Sequence, residues 1–185
     1  MWIVVGLGNP GRRYSGTRHN VGFMLVRRLA RRWGGKFRKR KYGAKIAEMV
    51  RNDERLVLAQ PQTYMNRSGP AVKQIMEGYR VTPPSLIVVY DDLDIPIGQI
   101  RIRKEGRAGS HKGMGSIVAE IGTSAFLRLR VGIGPQPEGE DATEFVLSPF
   151  SPKEKPVLEE ALARAEEALE MVVDGRIEAA MNAFN

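Results

Sequence analysis

The chain has 185 residues, of which 42% are hydrophobic, so it is long enough to bury a substantial core within one domain. It contains no cysteine, which excludes disulfides, thiolate metal sites and cysteine nucleophiles. No signal-peptide pattern and no apolar run approaching about 18 residues is present, so we expect a soluble, cytoplasmic protein that does not enter a membrane.

The net charge of +8 is distributed unevenly along the chain. Residues 1–47 contain 13 Lys or Arg and no Asp or Glu, whereas the remainder carries 16 basic and 21 acidic residues. Within the basic part, residues 36–41 read Lys-Phe-Arg-Lys-Arg-Lys. A run of this kind can be a solvated loop. The asymmetry favours a polyanionic partner, RNA or DNA, because each neutralised phosphate releases counterions.

The first predicted element is a buried strand, Trp2 to Val5, that leads into a loop with Gly-x-Gly-x-x-Gly spacing, the pattern of a dinucleotide site. Two features argue against that interpretation. First, Pro10 interrupts the helix that a dinucleotide loop requires. Second, such a site needs an acidic residue about 20 residues after the glycine loop to bind the ribose, but the first acidic residue of this chain is Glu48. A glycine turn without a function stays open as an alternative.

The next elements are predicted from apolar spacing and from glycines and prolines. A helix is expected over residues 21–33, with Asn20 as its N-cap and Gly34-Gly35 as its stop. Two strands are predicted next, at 44–50 and 55–60, followed by a loop at 61–66 and a helix at about 68–79. A buried strand is then predicted at 86–90, and two further strands at 99–104 and 127–133.

The last two of these strands alternate apolar residues with arginine, which predicts one exposed face on each. The arginines on those faces would be Arg101, Arg103, Arg128 and Arg130. Near the C-terminus, Ser151-Pro152-Lys153-Glu154 matches a capping box ahead of an apolar helix that Gly175 ends. Strands that alternate with helices predict an α/β fold with helices on both faces of the sheet.

Four polar side chains are predicted to meet at one edge of this sheet, because ligands of such folds bind beyond the carboxyl ends of the strands. Asn9 follows the first strand, and Asn66 follows the 55–60 strand. Asp91 ends the 86–90 strand, and His19 lies on the connection that leaves the first strand.

The residue types of this set limit its chemistry. The chain has two histidines, His19 and His111, and histidine has an unperturbed pKa of about 6.5, which suits a general base at neutral pH. A carboxylate such as Asp91 could orient the imidazole, and asparagine amides could donate to a developing oxyanion. No Gly-x-Ser-x-Gly motif is present. We therefore predict direct attack by a water molecule that histidine activates.

Other interpretations of the same residues stay open. His19 could be a helix-entry residue, and residues 91–94 could form a turn. A Mg²⁺ site built from Asp91, Asp92 and Asp94 is a further alternative, since carboxylate oxygens suit that ion. The predicted convergence of four groups favours the hydrolytic site.

Five motifs, in order along the chain, resemble those of the bacterial peptidyl-tRNA hydrolases. They are Val5-Gly6-Leu7-Gly8-Asn9-Pro10-Gly11-x-x-Tyr14, Thr17-Arg18-His19-Asn20-Val21-Gly22, Pro61-x-Thr63-Tyr64-Met65-Asn66-x-Ser68-Gly69, Asp91-x-Leu93-Asp94-x-Pro96-x-Gly98 and Gly109-x-His111-x-Gly113. The resemblance runs nearly end to end. It implies a monomeric three-layer α/β/α fold with a central mixed sheet, in a single domain over residues 1–185. The implied activity is hydrolysis, without metal or other cofactor, of the ester that joins a peptide to the 3′ end of tRNA, which recycles tRNA from stalled translation.

The resemblance also implies roles for individual residues. His19 would activate water, Asp91 would orient it, and Asn9 would recognise the peptide backbone so that free aminoacyl-tRNA is spared. The pocket for the peptide and the terminal adenosine would be lined by Tyr14, Tyr64, Met65 and Asn66. The remaining substrate-binding positions implied are His111 and Lys112, together with the basic residues matched to the site of the tRNA 5′ phosphate, Arg101, Arg103 and Arg130.

One motif departs from the family pattern. The family commonly has Gly-His-Asn-Gly where this chain has Ser110-His111-Lys112-Gly113. Lysine donates hydrogen bonds but cannot accept them, so any role that needs a carbonyl acceptor must be lost or supplied elsewhere. The family also includes chloroplast splicing factors that bind RNA without needing to hydrolyse it. Retention of His19, Asp91, Asn9 and Asn66 favours an enzyme over such a binding protein.

Overall fold

The structure is a computed structural model that describes all 185 residues. Seven strands form one sheet, and six α-helices surround it. The strands are β1 (Trp2–Gly6), β2 (Lys39–Lys41), β3 (Ala44–Arg51), β4 (Glu54–Pro61), β5 (Leu86–Pro96), β6 (Ile100–Arg103) and β7 (Leu127–Gly134). The helices are α1 (Val21–Arg32), α2 (Ser68–Tyr79), α3 (Lys112–Ile121), α4 (Ala142–Leu147), α5 (Glu154–Val173) and α6 (Ile177–Phe184). None of them combines the length and apolar character needed to cross a bilayer.

The sheet is mixed, as expected, with the strand order β2-β3-β4-β1-β5-β7-β6. The four central strands β4, β1, β5 and β7 run parallel, whereas β2, β3 and β6 are antiparallel to their neighbours. The carboxyl ends of β1, β4 and β5 therefore meet at one edge, called the carboxyl edge below. Segments that leave these three strands are brought together there.

Helices cover both faces of the sheet, which confirms the three-layer α/β/α fold. One apolar cluster joins the sheet to α1, α5 and α6, and a second joins it to α2 and α3. The two clusters take alternate residues of each strand: Val4 belongs to the first and Val5 to the second. Strands buried on both faces have continuous apolar sequences, which is why residues 86–90 could be identified directly.

The structure differs from the interpretations of the sequence in three details. The Asn20 side chain does not cap α1, because it bonds to the backbone of Asn9 instead. Strand β5 does not end at Tyr90 but continues to Pro96. Residues 39–41 are not part of a loop but form β2, the edge strand of the sheet.

Arg128 is the fourth difference, because it is buried rather than exposed. Its guanidinium donates to the carbonyls of Ser124 and Arg107 at 2.8 and 3.2 Å and lies over the ring of Phe126 at 4.6 Å. The segment after β6 covers this part of β7, which the alternation of β7 alone could not reveal. The alternation of β6 is confirmed: Ile100 and Ile102 are buried, and Arg101 and Arg103 are not.

A close approach of two backbones fixes the start of α1 against the sheet. A Cβ atom at Gly22 would lie 2.5 Å from both the nitrogen of Leu7 and the oxygen of Val89. The amide of Phe23 donates to Leu7 at 3.1 Å, and the amide of Leu7 donates to Val89 at 2.9 Å. Glycine at position 22 therefore lets α1 begin directly above the carboxyl edge.

We expect Gly22→Ala to lower the free energy of unfolding by about 1–3 kcal/mol, because the added methyl group meets the backbone of both Leu7 and Val89. Urea denaturation measures this change. Gly115→Ala is the matched control: Gly115 is also helical, but a Cβ there meets nothing within 4 Å. That variant should be stabilised by up to about 1 kcal/mol. Equal stability of the two variants would contradict the close approach.

Candidate active site

Two imidazoles share one buried carboxylate at the carboxyl edge. His19 Nδ1 lies 2.9 Å from both oxygens of Asp91, and His111 Nε2 lies 3.0 Å from Oδ1 of the same residue. Asp91 is only 3% exposed. The structure thus brings together His19 and Asp91, as predicted, and adds His111 as a second partner of the carboxylate.

The hydrogen bonds distinguish the two histidines chemically. His111 Nδ1 accepts the backbone N–H of Met114 at 3.2 Å, so this nitrogen carries no proton. In the neutral ring the proton must then sit on Nε2 and be donated to Asp91. Both nitrogens of His111 are occupied, whereas His19 uses only Nδ1. His19 Nε2 is therefore the imidazole lone pair available to a substrate or to water.

The charge of Asp91 is held by its two partners. Burial alone would raise the pKa of this carboxyl, but the neighbouring His111 and His19 outweigh burial and hold the pKa below its usual range. Asp91 therefore remains an anion at neutral pH. An anion beside His19 Nδ1 fixes the ring orientation and stabilises the imidazolium that forms when Nε2 takes a proton.

Asn9 is oriented by hydrogen bonds on two sides. The Asn20 side chain accepts from the backbone nitrogen of Asn9 at 2.8 Å and donates to its carbonyl at 2.9 Å. Asn9 Oδ1 accepts the backbone N–H of Met65 at 2.8 Å. The Oδ1 bond fixes the orientation of the Asn9 amide. No protein acceptor bonds to its Nδ2, so this donor can bind a carbonyl oxygen.

These side chains line a pocket of about 600 Å³ at the carboxyl edge. Of the candidate residues, the pocket is lined by Asn9, His19, Tyr64, Met65, Asn66, Asp91, Arg103, His111, Lys112 and Arg130. Tyr14 and Arg101 do not line it. Tyr14 ends a short 3-10 helix and stacks with Arg13 at 4.5 Å, and the Arg101 guanidinium bonds to the C-terminal carbonyl of Asn185.

The acidic run after Asp91 does not form a carboxylate cluster. Asp92 points to the side of β5 opposite to Asp91, because successive residues of a strand alternate. There it pairs with Arg130 and accepts the backbone N–H of Asp94. A set of three carboxylates for Mg²⁺ is therefore not assembled. The side chains close enough together to hold a metal ion are His19, Asp91 and His111, whose ligand atoms lie within 4.8 Å of one another. These three side chains are also hydrogen-bonded to one another through Asp91.

Arginines form one wall of the pocket. Arg103 and Arg130 lie on one face of the β6–β7 pair, on the side opposite to α5. The buried guanidinium of Arg128 also reaches this wall. Lys112, the first residue of α3, is exposed and pairs with no carboxylate. The helix N-terminus adds a positive dipole beside it, so this wall favours phosphate groups.

The segment that carries His19 is anchored by an ion pair that the sequence did not reveal. Arg18 donates to both oxygens of Glu154 at 2.9 and 2.8 Å and lies between the rings of Phe145 and Phe150. The bidentate bond from Arg18 lowers the pKa of Glu154 to about 2. Arg18 and Glu154 are 136 residues apart, so no local pattern could have paired them.

Comparison with known proteins gives one consistent result. The peptidyl-tRNA hydrolase family model matches residues 3–185. The peptidyl-tRNA hydrolase of Chloroflexus aggregans is 50% identical over 186 residues, covering 100% of this chain and 99% of the relative. That of Alkaliphilus metalliredigens is 45% identical, with 100% of both chains covered. A crystal structure of peptidyl-tRNA hydrolase from Acinetobacter baumannii superposes with a TM-score of 0.93 at 34% identity, covering 98% of this chain and 93% of the other.

We expect Glu154→Gln to lower the free energy of unfolding at pH 7 by about 2 kcal/mol, because it leaves the buried Arg18 charge without its partner. The carboxyl pKa is lower in the folded than in the unfolded chain. Its stabilising contribution is therefore present above about pH 4.5 and is lost as the pH falls toward 2. Urea denaturation of both proteins between these pH values measures the difference.

Glu159→Gln is the control for this experiment. Glu159 lies in α5, as Glu154 does, and pairs with Arg28 of α1, but its side chain is 64% exposed. Its effect should stay below about 1 kcal/mol at every pH. A Glu154 variant that keeps wild-type stability at pH 7 would show that the ion pair does not anchor the His19 segment.

Proposed function

The chain belongs to the peptidyl-tRNA hydrolase family, and we propose that it hydrolyses peptidyl-tRNA with a water molecule activated by His19. The bond cleaved is the ester between the peptide, or an N-blocked amino acid, and the 3′ ribose of the tRNA. The observation that carries the proposal is the asymmetry between the two imidazoles on Asp91. Only His19 has an Nε2 without a protein partner, and His19 lines the pocket.

In the proposed reaction, His19 Nε2 takes a proton from water while the water oxygen attacks the ester carbonyl carbon. Asp91 stabilises the imidazolium formed in this step. When the tetrahedral intermediate collapses, the bond to the ribose 3′ oxygen breaks and His19 returns the proton to that oxygen. The products are the free peptide acid and tRNA with its 3′ hydroxyl. The residues need no metal or organic cofactor for these steps.

Asn9 supports recognition of the peptide part. Asn9 lines the pocket, its Oδ1 accepts the backbone N–H of Met65, and its Nδ2 has no protein partner. We assign this donor to a carbonyl of the peptide backbone, which an unblocked aminoacyl ester lacks. Asn66 is exposed beside it, and Tyr64 offers an exposed ring for the peptide or the terminal adenosine. This arrangement supports cleavage of blocked esters and sparing of free aminoacyl-tRNA.

The arginine wall supports recognition of the tRNA part. Arg103 and Arg130 suit the 5′ phosphate, and Lys112 adds an unpaired ammonium to the lining of the same pocket. An ammonium cannot accept a hydrogen bond from water. We therefore assign Lys112 to a phosphate of the tRNA 3′ end rather than to the position of the catalytic water.

We further propose that the chain acts as a monomer in the cytoplasm, where its substrate arises during translation. The large apolar side chains that are exposed are scattered: Val50, Tyr64, Leu147 and Val157. They give no extended apolar patch of the kind that subunit interfaces require.

We expect His19→Ala to lower kcat by about 10²–10⁴-fold while tRNA binding is kept, because the variant loses the base but not the phosphate contacts. The assay is release of N-acetyl amino acid from acetyl-aminoacyl-tRNA in EDTA. Binding of uncharged tRNA by fluorescence anisotropy is the control for folding.

Each alternative gives a different result in this assay. A near wild-type rate for His19→Ala would exclude His19 as the base. Activity that EDTA abolishes and a divalent metal restores would assign His19, Asp91 and His111 to a metal site. Binding of tRNA without release by the wild-type protein would identify an RNA-binding relative.

We expect Arg103→Gln and Arg130→Gln each to weaken tRNA binding at low salt and to reduce the salt dependence of log K by about one. Removal of the 5′ phosphate from the tRNA should abolish both effects. Arg101→Gln is the matched control, because Arg101 lies on the same face but outside the pocket. If the two pocket variants bind phosphorylated and dephosphorylated tRNA with unchanged affinity, the β6–β7 face is not the 5′ phosphate site.

A further inference from the structure

The basic N-terminal part of the chain divides into paired and unpaired cations. Among the 13 Lys and Arg of residues 1–47, five form ion pairs with carboxylates: Arg18, Arg28, Arg32, Lys39 and Lys41. The others have no carboxylate partner: Arg12, Arg13, Arg27, Arg31, Lys36, Arg38, Arg40 and Lys45. The paired group helps to hold the fold together, and the unpaired group is free to act on something outside the chain.

Strand alternation separates the two groups within β2. Lys39 and Lys41 project toward the α2 side of the sheet, where both pair with Glu48. The hydrogen bond from Lys39 is the main reason that the pKa of Glu48 falls to about 2. Tyr79 of α2 also donates to Glu48. These two lysines therefore share one carboxylate within the fold and are part of the packing of β2.

Arg40 projects toward the other side of the sheet, directly opposite Lys45 of β3 in the antiparallel register. Lys45 in turn lies opposite Gln60 of β4, whose side chain donates to the carbonyl of Phe23 in α1 at 3.0 Å. The guanidinium of Arg27 lies over the Phe23 ring, 6.0 Å from its centroid. Arg40, Lys45 and Arg27 thus lie on the α1 side of the sheet, on β2, β3 and α1, and are called the basic row below.

The basic row has an unfavourable feature for a free protein. Like charges directly opposite each other on paired strands destabilise a sheet, and no carboxylate accompanies Arg40, Lys45 or Arg27. Lys39 and Lys41 have a carboxylate partner within the chain, whereas Arg40 between them has none. This difference points to an anion outside the chain as the partner of the basic row.

The basic row lies at the carboxyl edge, near the proposed active site. Lys45 and Gln60 are level with the last residue of β1, since Val5 pairs with Ala59. Strands β2 and β5 are separated by four intervals of the sheet, or about 20 Å at about 4.8 Å per interval. This distance is shorter than one turn of a DNA duplex, about 34 Å, so it is within the span of a folded nucleic acid. One RNA molecule can therefore reach the pocket and the basic row together.

We propose that Arg40, Lys45 and Arg27 form a second tRNA-binding surface, which contacts backbone phosphates of the same tRNA whose 3′ end occupies the pocket. This inference rests on the proposed function, because that function supplies the tRNA. The surface lies on the opposite side of the active site from Arg103 and Arg130. It contacts phosphates rather than bases, so it increases affinity and association rate without selecting a sequence.

The test compares the double variant Arg40→Gln/Lys45→Gln with the control Arg55→Gln. Arg55 is an exposed cation without an ion pair, but it lies near the amino end of β4, away from the carboxyl edge. Binding of uncharged tRNA is measured by fluorescence anisotropy between about 50 and 200 mM salt. Hydrolysis is measured separately on acetyl-aminoacyl-tRNA and on the same ester carried by a short 3′-terminal oligonucleotide.

We expect the double variant to bind tRNA about tenfold more weakly at low salt and its salt dependence of log K to fall by about two. Its kcat/KM should fall for the full-length substrate but not for the oligonucleotide ester, and Arg55→Gln should match the wild type. Thermal unfolding should show the double variant at least as stable as the wild type, because a like-charge pair is removed.

Unchanged tRNA affinity and salt dependence of the double variant would overturn the proposal, as would an equal loss of kcat/KM on both substrates. The binding and hydrolysis results are independent. A wild-type protein that binds tRNA through the basic row but releases no acetyl amino acid would refute the proposed hydrolysis and leave the second surface supported.

Discussion

The shared carboxylate of Asp91 is the interaction on which the proposed chemistry depends. A buried anion is unfavourable unless it is paired and hydrogen-bonded, and here the two partners are imidazoles from different parts of the chain. Strand β5 delivers the carboxylate, the segment before α1 delivers His19, and the start of α3 delivers His111. The three segments must therefore pack correctly before either histidine has a defined role.

Much of this arrangement could be predicted from the sequence, because parallel strands place their carboxyl ends at one edge. That rule brought Asn9, Asn66, Asp91 and His19 together without any knowledge of their contacts. The same rule says nothing about the orientation of a side chain. The part played by His111 depends on one backbone N–H at the start of α3, and no spacing in the sequence indicates that bond.

The differences between sequence and structure have a common physical origin. Arg128 alternates with leucine on β7 just as Arg130 does, but a loop distant in sequence covers only the first of them. Likewise, Glu154 was identified as part of a capping box, and its hydrogen bonds with Ser151 are present. Its pairing with Arg18 is long-range and could not be inferred. Local periodicity predicts which elements form, and tertiary contacts decide what the polar residues on them do.

The clamp of Asn20 on Asn9 has a consequence for how the loop after β1 works. The Asn20 amide presents one donor and one acceptor to the backbone of Asn9, as a neighbouring strand would. One side chain thus imitates a strand partner where the sheet has already ended. The conformational entropy of ordering this loop is lost when the chain folds, not when a ligand arrives. The glycine-rich loop, which its composition would suggest is mobile, is therefore preorganised, and Asn9 can hold a ligand without a further ordering cost.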